Sequence, residues 1–162
     1  MTQKPISVAF VCLGNICRSP MAEAVFENTV MKNGLGSKFS KIDSFGTASY
    51  HVGDKPDSRT EETCKKHNIP IKHRGQQIKE HHFNEFDYII CMDEDNLYNL
   101  NRIKPSSSKA TVKLFGDWGS DPKYGRIVED PYYGGSSGFE KCYNQCIHFS
   151  NEFLRKELNA NL

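Results

Sequence analysis

An apolar run, Ile6 to Val11, opens directly into Cys12-Leu13-Gly14-Asn15-Ile16-Cys17-Arg18-Ser19-Pro20, and no other stretch of the 162 residues constrains the fold as strongly. The run reads as a parallel strand covered on both faces. The apolar spacing after Pro20 (Ala22, Val25, Phe26, Thr29, Val30) is helical, with Gly34 as its stop. A strand, a tight loop and a helix start in that order let the backbone N–H groups of Leu13 to Arg18 converge on one point, which makes an anion-binding nest. Gly14 and Asn15 are residue types that accept the left-handed angles of such a curl. Arg18 adds a planar fork for two oxygens of a phosphate-like dianion. Converging amides, a helix N-terminus and an arginine all favour the thiolate form of the cysteine at the base, Cys12. The Ser19 hydroxyl is placed to donate to that sulfur or to cap the helix, and Pro20 suits a first helical turn.

The rest of the chain repeats the strand–helix alternation. Lys41 to Phe45, Phe86 to Met92 and Thr111 to Phe115 read as further strands. Helices are expected from Pro56-Asp57-Ser58 to Asn68–Pro70, from Asp93 through Leu97, Leu100 and Ile103, and from Ser137 to Leu158. Ser58/Glu61 and Ser137/Glu140 have capping-box spacing. The segment from Gly116 to Gly138 is rich in glycine and proline and carries little regular structure. The pattern predicts a single α/β domain over 1–162, doubly wound, with about four parallel strands and helices on both faces. Cys12, Ser44, Asp93 and Asp117 fall at or near strand ends, where ligands bind in such sheets. Asp93 reads first as a helix N-cap and Ser44 as a hydrogen bonder behind the loop.

A formal net charge of +1 gives no reason to expect a nucleic-acid or membrane surface. Met1 to Pro5 is too short and polar to begin a signal peptide, and no apolar run reaches a membrane span, so a cytoplasmic location is expected. The six cysteines are scattered and expected to be reduced. No Cys/His group has metal-ligand spacing, and the adjoining His81 and His82 are expected to point apart and be solvated, so neither metal nor cofactor is expected.

A phosphoryl group carried on sulfur needs a proton donor for the leaving oxygen. Asp130 is the candidate, in Glu129-Asp130-Pro131-Tyr132-Tyr133-Gly134-Gly135. Pro131 holds Asp130 extended and the glycines turn the loop, which aims the carboxyl. The same group, as a carboxylate, can then activate water. Tyr132 and Tyr133 are expected to wall a slot for an aryl ring.

Cys12 to Pro20 together with Asp130-Pro131-Tyr132-Tyr133-Gly134 resembles the low-molecular-weight protein tyrosine phosphatases. The resemblance extends over Asp43-Ser44, His73, Cys91-Met92-Asp93-Glu94 and the C-terminal helix. It implies a metal-independent acid phosphatase acting on phosphotyrosine proteins and small aryl phosphates, as a monomer or weak dimer. It further implies Cys12 as nucleophile, Arg18 as phosphate clamp and Asp130 as acid then base. The loop residues Leu13, Gly14, Asn15, Ile16, Cys17 and Ser19 would hold phosphate, with Asn15, Ser19, Ser44 and His73 as a supporting network. Ile16 stands where related protein-arginine phosphatases carry threonine, which favours phosphotyrosine. Tyr50 and His51 match a variable loop at the pocket mouth, and Trp118 lies in a segment that varies across the family. Cys17, inside the loop, reads first as a packed side chain and second as a partner for Cys12 in a protective disulfide under mild oxidation. Two alternatives stand beside this reading. One is a thiol arsenate reductase, which needs two further relay cysteines such as Cys64 and Cys91. The other is a phosphate-binding module without catalysis, which needs no Asp130.

Overall fold

The computed structural model describes residues 4–135 and 137–162. Its centre is a parallel sheet of four strands, β1 (Ile6–Cys12), β2 (Phe39–Gly46), β3 (Tyr88–Cys91) and β4 (Thr111–Leu114), in the order β2-β1-β3-β4. β1 lies in the middle, with Cys12 opposite Gly46 of β2 and Val11 opposite Cys91 of β3. Its side chains alternate between two cores: Val8, Phe10 and Cys12 face one, and Ala9 and Val11 the other. That double burial is why the run is continuously apolar rather than alternating.

Among the described residues, four α-helices flank the sheet: α1 (Arg18–Lys32), α2 (Ser58–Lys66), α3 (Glu94–Ile103) and α4 (Ser137–Leu158). The first core is aromatic. Phe26 of α1 meets Phe10 and Phe153, with ring centroids 5.2 and 5.3 Å apart. Cys64 of α2 and Phe139, Cys142, Cys146, Phe149 and Phe153 of α4 close it. The second core takes Leu97 and Leu100 of α3 with Phe45, Phe83 and Phe86. Helices therefore cover both faces, as the alternation predicts. Among the described residues no helix is long and apolar enough to cross a membrane.

Several local expectations are corrected. The strands β3 and β4 are shorter than their apolar runs. Phe86 closes a 3-10 turn over Glu80–Asn84 through its N–H to the His82 carbonyl, and Met92 lies beyond the end of β3. α2 is capped by Asp57, whose Oδ1 accepts from Arg59 N at 2.9 Å, so Ser58 is the first helical residue and not the cap. The α4 cap falls on residue 136, outside the described residues; the Glu140 carboxylate accepts from His67 at 3.0 Å and Lys66 at 3.2 Å. The Gly- and Pro-rich segment contains three short 3-10 turns, over Phe115–Trp118, Pro122–Tyr124 and Pro131–Tyr133.

Candidate active site

The loop between β1 and α1 curls at the carboxyl end of the central strand, as a doubly wound sheet requires of a ligand site. Asn15 supplies the left-handed residue, with φ of 59°. Gly14 does not adopt a positive φ. A Cβ there would stand 3.0 Å from the ring of the partly exposed His51, which would have to give way. Gly46 is required for space, since a Cβ would come within 2.7 Å of the Leu13 carbonyl oxygen. Thr47 and Ala48 N–H groups then donate to the Cys12 and Leu13 carbonyls, which ties the loop to the end of β2.

Cys12 Sγ sits 3.0 Å from Ser19 Oγ and accepts from Asn15 N at 3.3 Å. Ser19 thus serves the sulfur, and no side chain caps α1. The fully buried Asn15 organises what lies behind. Its Nδ2 donates to Ser19 Oγ at 2.8 Å and Ser44 Oγ at 3.0 Å, while its Oδ1 accepts from Gln76 N at 2.8 Å and from His73 Nε2 at 2.7 Å. Gln76 N is a donor without choice, so the amide orientation and the Nε2–H tautomer of His73 both follow. Ser44 Oγ in turn donates to Glu23 Oε1 at 2.6 Å. Burial pushes the Glu23 carboxyl up to about 8, and burial pushes the His73 imidazole down. Asn15→Ala is expected to destabilise the chain by about 2–4 kcal/mol in urea unfolding, from a left-handed alanine and orphaned buried partners. Asn15→Gly should restore about 1 kcal/mol of that, the backbone share alone.

Arg18 is 2% exposed, and its guanidinium is held from behind. Nη1 donates to Asp93 Oδ2 at 2.5 Å and to the Val128 carbonyl at 3.0 Å, and Nη2 lies 3.6 Å from Asp130 Oδ2. Asp93 does two jobs at once: its other oxygen caps α3 through Asn96 N at 2.8 Å. The neighbouring carboxylates and the Cys12 sulfur outweigh burial and raise the Arg18 pKa. Asp130 is extended, with φ of −72° and ψ of 112°, as a residue before proline should be, and its Oδ1 caps the Pro131–Tyr133 turn through Tyr132 N.

These groups share one cavity of about 220 Å³. Cys12, Cys17, Arg18 and Asp130 line it together with Leu13, Gly14, Ile16, Tyr50, His51 and Tyr132. Tyr132 is 40% exposed with the Arg59 guanidinium 5.5 Å from its ring centre, and Tyr50 is 74% exposed. The Tyr133 side chain lies outside the described residues. Burial, followed by the Asp57 carboxylate, pushes the Cys17 thiol well up, so it stays protonated. Asp117 does not join this rim. It accepts from Arg126 Nε at 2.6 Å instead, and Trp118 is interior, donating to Glu157 at 2.9 Å.

Some contributors escaped the sequence reading. Asp57 N donates to the Ile16 carbonyl at 2.8 Å and Thr60 Oγ1 to the Cys17 carbonyl at 3.3 Å, so α2 braces the loop. Gln76 and Glu23 complete the support beneath it. The helix cap at Asp57 was the one local signal that could have pointed to this.

Fold and site together define the class: a doubly wound α/β protein whose Cys-x5-Arg loop follows the central strand and shares a cavity with an Asp-Pro loop. The family model described as low molecular weight phosphotyrosine protein phosphatase matches residues 7–162, and the chain belongs to that family. The low molecular weight phosphotyrosine protein phosphatase of Saccharomyces cerevisiae is 56% identical over 158 residues, covering 96% of this chain and 98% of that protein. The human protein of the same name is 46% identical over 152 residues, covering 93% and 94%. A protein tyrosine phosphatase from Entamoeba histolytica, solved with Hepes in the active site, superposes with a TM-score of 0.90 at 35% identity, covering 97% of this chain and 99% of that one.

Proposed function

We propose that the protein hydrolyses phosphotyrosine in proteins, and small aryl phosphates, through a phosphoryl group carried on Cys12. The observation that carries this is the convergence of the Cys12 sulfur, the buried Arg18 guanidinium and the Asp130 carboxyl on one cavity. The phosphate of the substrate lies in the loop's amide nest. Arg18 reaches it with Nη2, because Nη1 is anchored on Asp93 and Val128. Cys12 Sγ attacks phosphorus as the P–O bond to the aryl oxygen breaks, and protonated Asp130 gives its proton to that oxygen. Asp130, now a carboxylate, takes a proton from water as the water attacks phosphorus and the S–P bond breaks, releasing phosphate and the free thiolate. Tyr50 and Tyr132 flank the aryl ring at the mouth, and Tyr133 is proposed to share that wall. No step calls on a metal ion.

The arsenate-reductase alternative is disfavoured because burial pushes the relay candidates Cys64 and Cys91 up to about 12, leaving almost no thiolate for disulfide exchange. Cys17 lines the same cavity as Cys12 and is proposed as its disulfide partner under oxidation. Steady-state kinetics on matched peptides carrying phosphotyrosine, phosphoserine or phosphoarginine test the substrate. We expect kcat/KM to favour phosphotyrosine by on the order of a hundredfold, since a shorter ester cannot bring phosphorus to the floor while its peptide rests on the rim. Equal or greater activity on phosphoarginine would overturn the assignment drawn from Ile16.

A further inference from the structure

Two groups of side chains outside the catalytic cavity gather enough donor atoms for a metal ion: His81, His82 and Glu85, and Glu23, Asp43 and His73. The first corrects an expectation, because the adjoining histidines converge, with ring centroids 4.1 Å apart, and His82 is half-buried against Phe45. It is nevertheless a poor ligand set. His82 Nδ1 accepts from Lys79 N at 2.8 Å, so a neutral ring carries its proton on Nε2 and has no lone pair left for a cation.

The second group has the opposite arrangement. We propose that Glu23, Asp43 and His73 form a binding site for a divalent transition-metal cation, Zn²⁺ in the first instance, on the far side of the phosphate-binding loop. The three come from α1, β2 and the segment after α2, and their donor atoms lie within 4.8 Å of one another. His73 Nε2–H is committed to Asn15, which leaves Nδ1 as the lone-pair nitrogen. That nitrogen belongs to a side chain only 7% exposed and is paired with the Glu23 carboxyl. It stands 3.4 Å from Glu23 Oε1, against about 3.3 Å for the edge of a tetrahedral zinc site.

Each ligand is already oriented from outside, as metal ligands are. Asn15 holds His73, Ser44 Oγ donates to Glu23, and Asp43 Oδ1 accepts from Ser44 N at 2.8 Å and Gln76 Nε2 at 3.0 Å, leaving Oδ2 for the cation. The site opens to solvent through a cavity of about 660 Å³ that all three residues line. Lys55, Lys72 and Arg74 also line it, and all three are exposed to solvent. One imidazole and two carboxylates, Glu23 releasing its proton to solvent as the cation binds, together with room for water suit Zn²⁺ better than Ca²⁺ or Mg²⁺, which favour oxygen alone. An ion there fixes the His73 ring, and through it the amide of Asn15 at the turn of the loop.

The test is Zn²⁺ added to the full chain carrying Cys12→Ser, which removes the competing thiolate. Calorimetry is expected to find one Zn²⁺ per chain, and ¹⁵N spectra are expected to show the His73 imidazole nitrogens moving while those of His81 and His82 stay. Adding Asp43→Asn keeps the Oδ1 acceptor and removes the charge, and it should weaken binding at least tenfold. Unchanged affinity in the Asp43→Asn protein, or His73 signals that do not respond, would overturn the site. If that variant does not fold, the His73 spectra of the Cys12→Ser protein decide alone.

Discussion

Cys12→Ser is expected to lower hydrolysis of an aryl phosphate by on the order of 10⁵-fold or more, because an alcohol replaces the sulfur and the other thiol of the cavity, Cys17, is kept protonated by burial. Phosphate binding should survive. In the proposed mechanism the amides of Leu13 to Arg18 and the Arg18 guanidinium do the holding, and the Asn15–Ser19–Ser44 hydrogen bonds do not pass through the sulfur alone. Inorganic phosphate titrated into the variant, beside a steady-state assay with p-nitrophenyl phosphate, separates the two effects. Residual activity near that of the parent would remove Cys12 from the mechanism and leave a phosphate-binding module.

Asp130→Asn should cost about 10²–10⁴-fold in kcat/KM on phosphotyrosine, the range of a lost general acid. The loss should shrink sharply for an aryl ester whose leaving oxygen departs without protonation. Asparagine keeps an oxygen that can cap the Pro131–Tyr133 turn through Tyr132 N, so the loop should hold its shape. Asp130 also lies 3.6 Å from Arg18 Nη2, and removing its charge leaves that nitrogen freer for an incoming dianion. Phosphate is therefore expected to inhibit the variant somewhat more strongly than the parent, while kcat falls. A loss of equal size for good and poor leaving groups would assign Asp130 to binding and not to proton transfer.

The contrast between these two residues reflects how each is placed. Cys12 ends a strand paired on both sides, so its position is as rigid as the sheet. Asp130 sits on an irregular loop whose aim depends on Pro131 and on contacts with Arg18 and Arg59. Arg59 donates to the Tyr132 carbonyl at 3.2 Å, linking the Asp-Pro loop to the helix that braces the phosphate loop.

Much of this was legible locally. The apolar run, the Gly-Asn curl, Ser19-Pro20 and the pre-proline Asp130 each act through neighbours a few residues away, so their spacing alone predicted a strand, a nest, a hydroxyl near the sulfur and an extended carboxyl. The cap of α2 was misread because Asp57 and Ser58 are both good capping residues, and the pairing of Glu140 with His67 was hidden because the two lie 73 positions apart. The double role of Asp93 was hidden for the same reason: its N-cap is local, but its bond to Arg18 spans 75 positions.

The sequence by itself determined the cradle, because a left-handed turn, a helix N-terminus and a cysteine six residues before an arginine are properties of contiguous chain. Only the tertiary structure decided what stands around it. Parallel strands must be joined by long crossovers, so residues that meet at one sheet edge, such as Glu23, Asp43, His73 and Asn15, are necessarily far apart in sequence and carry no spacing to read.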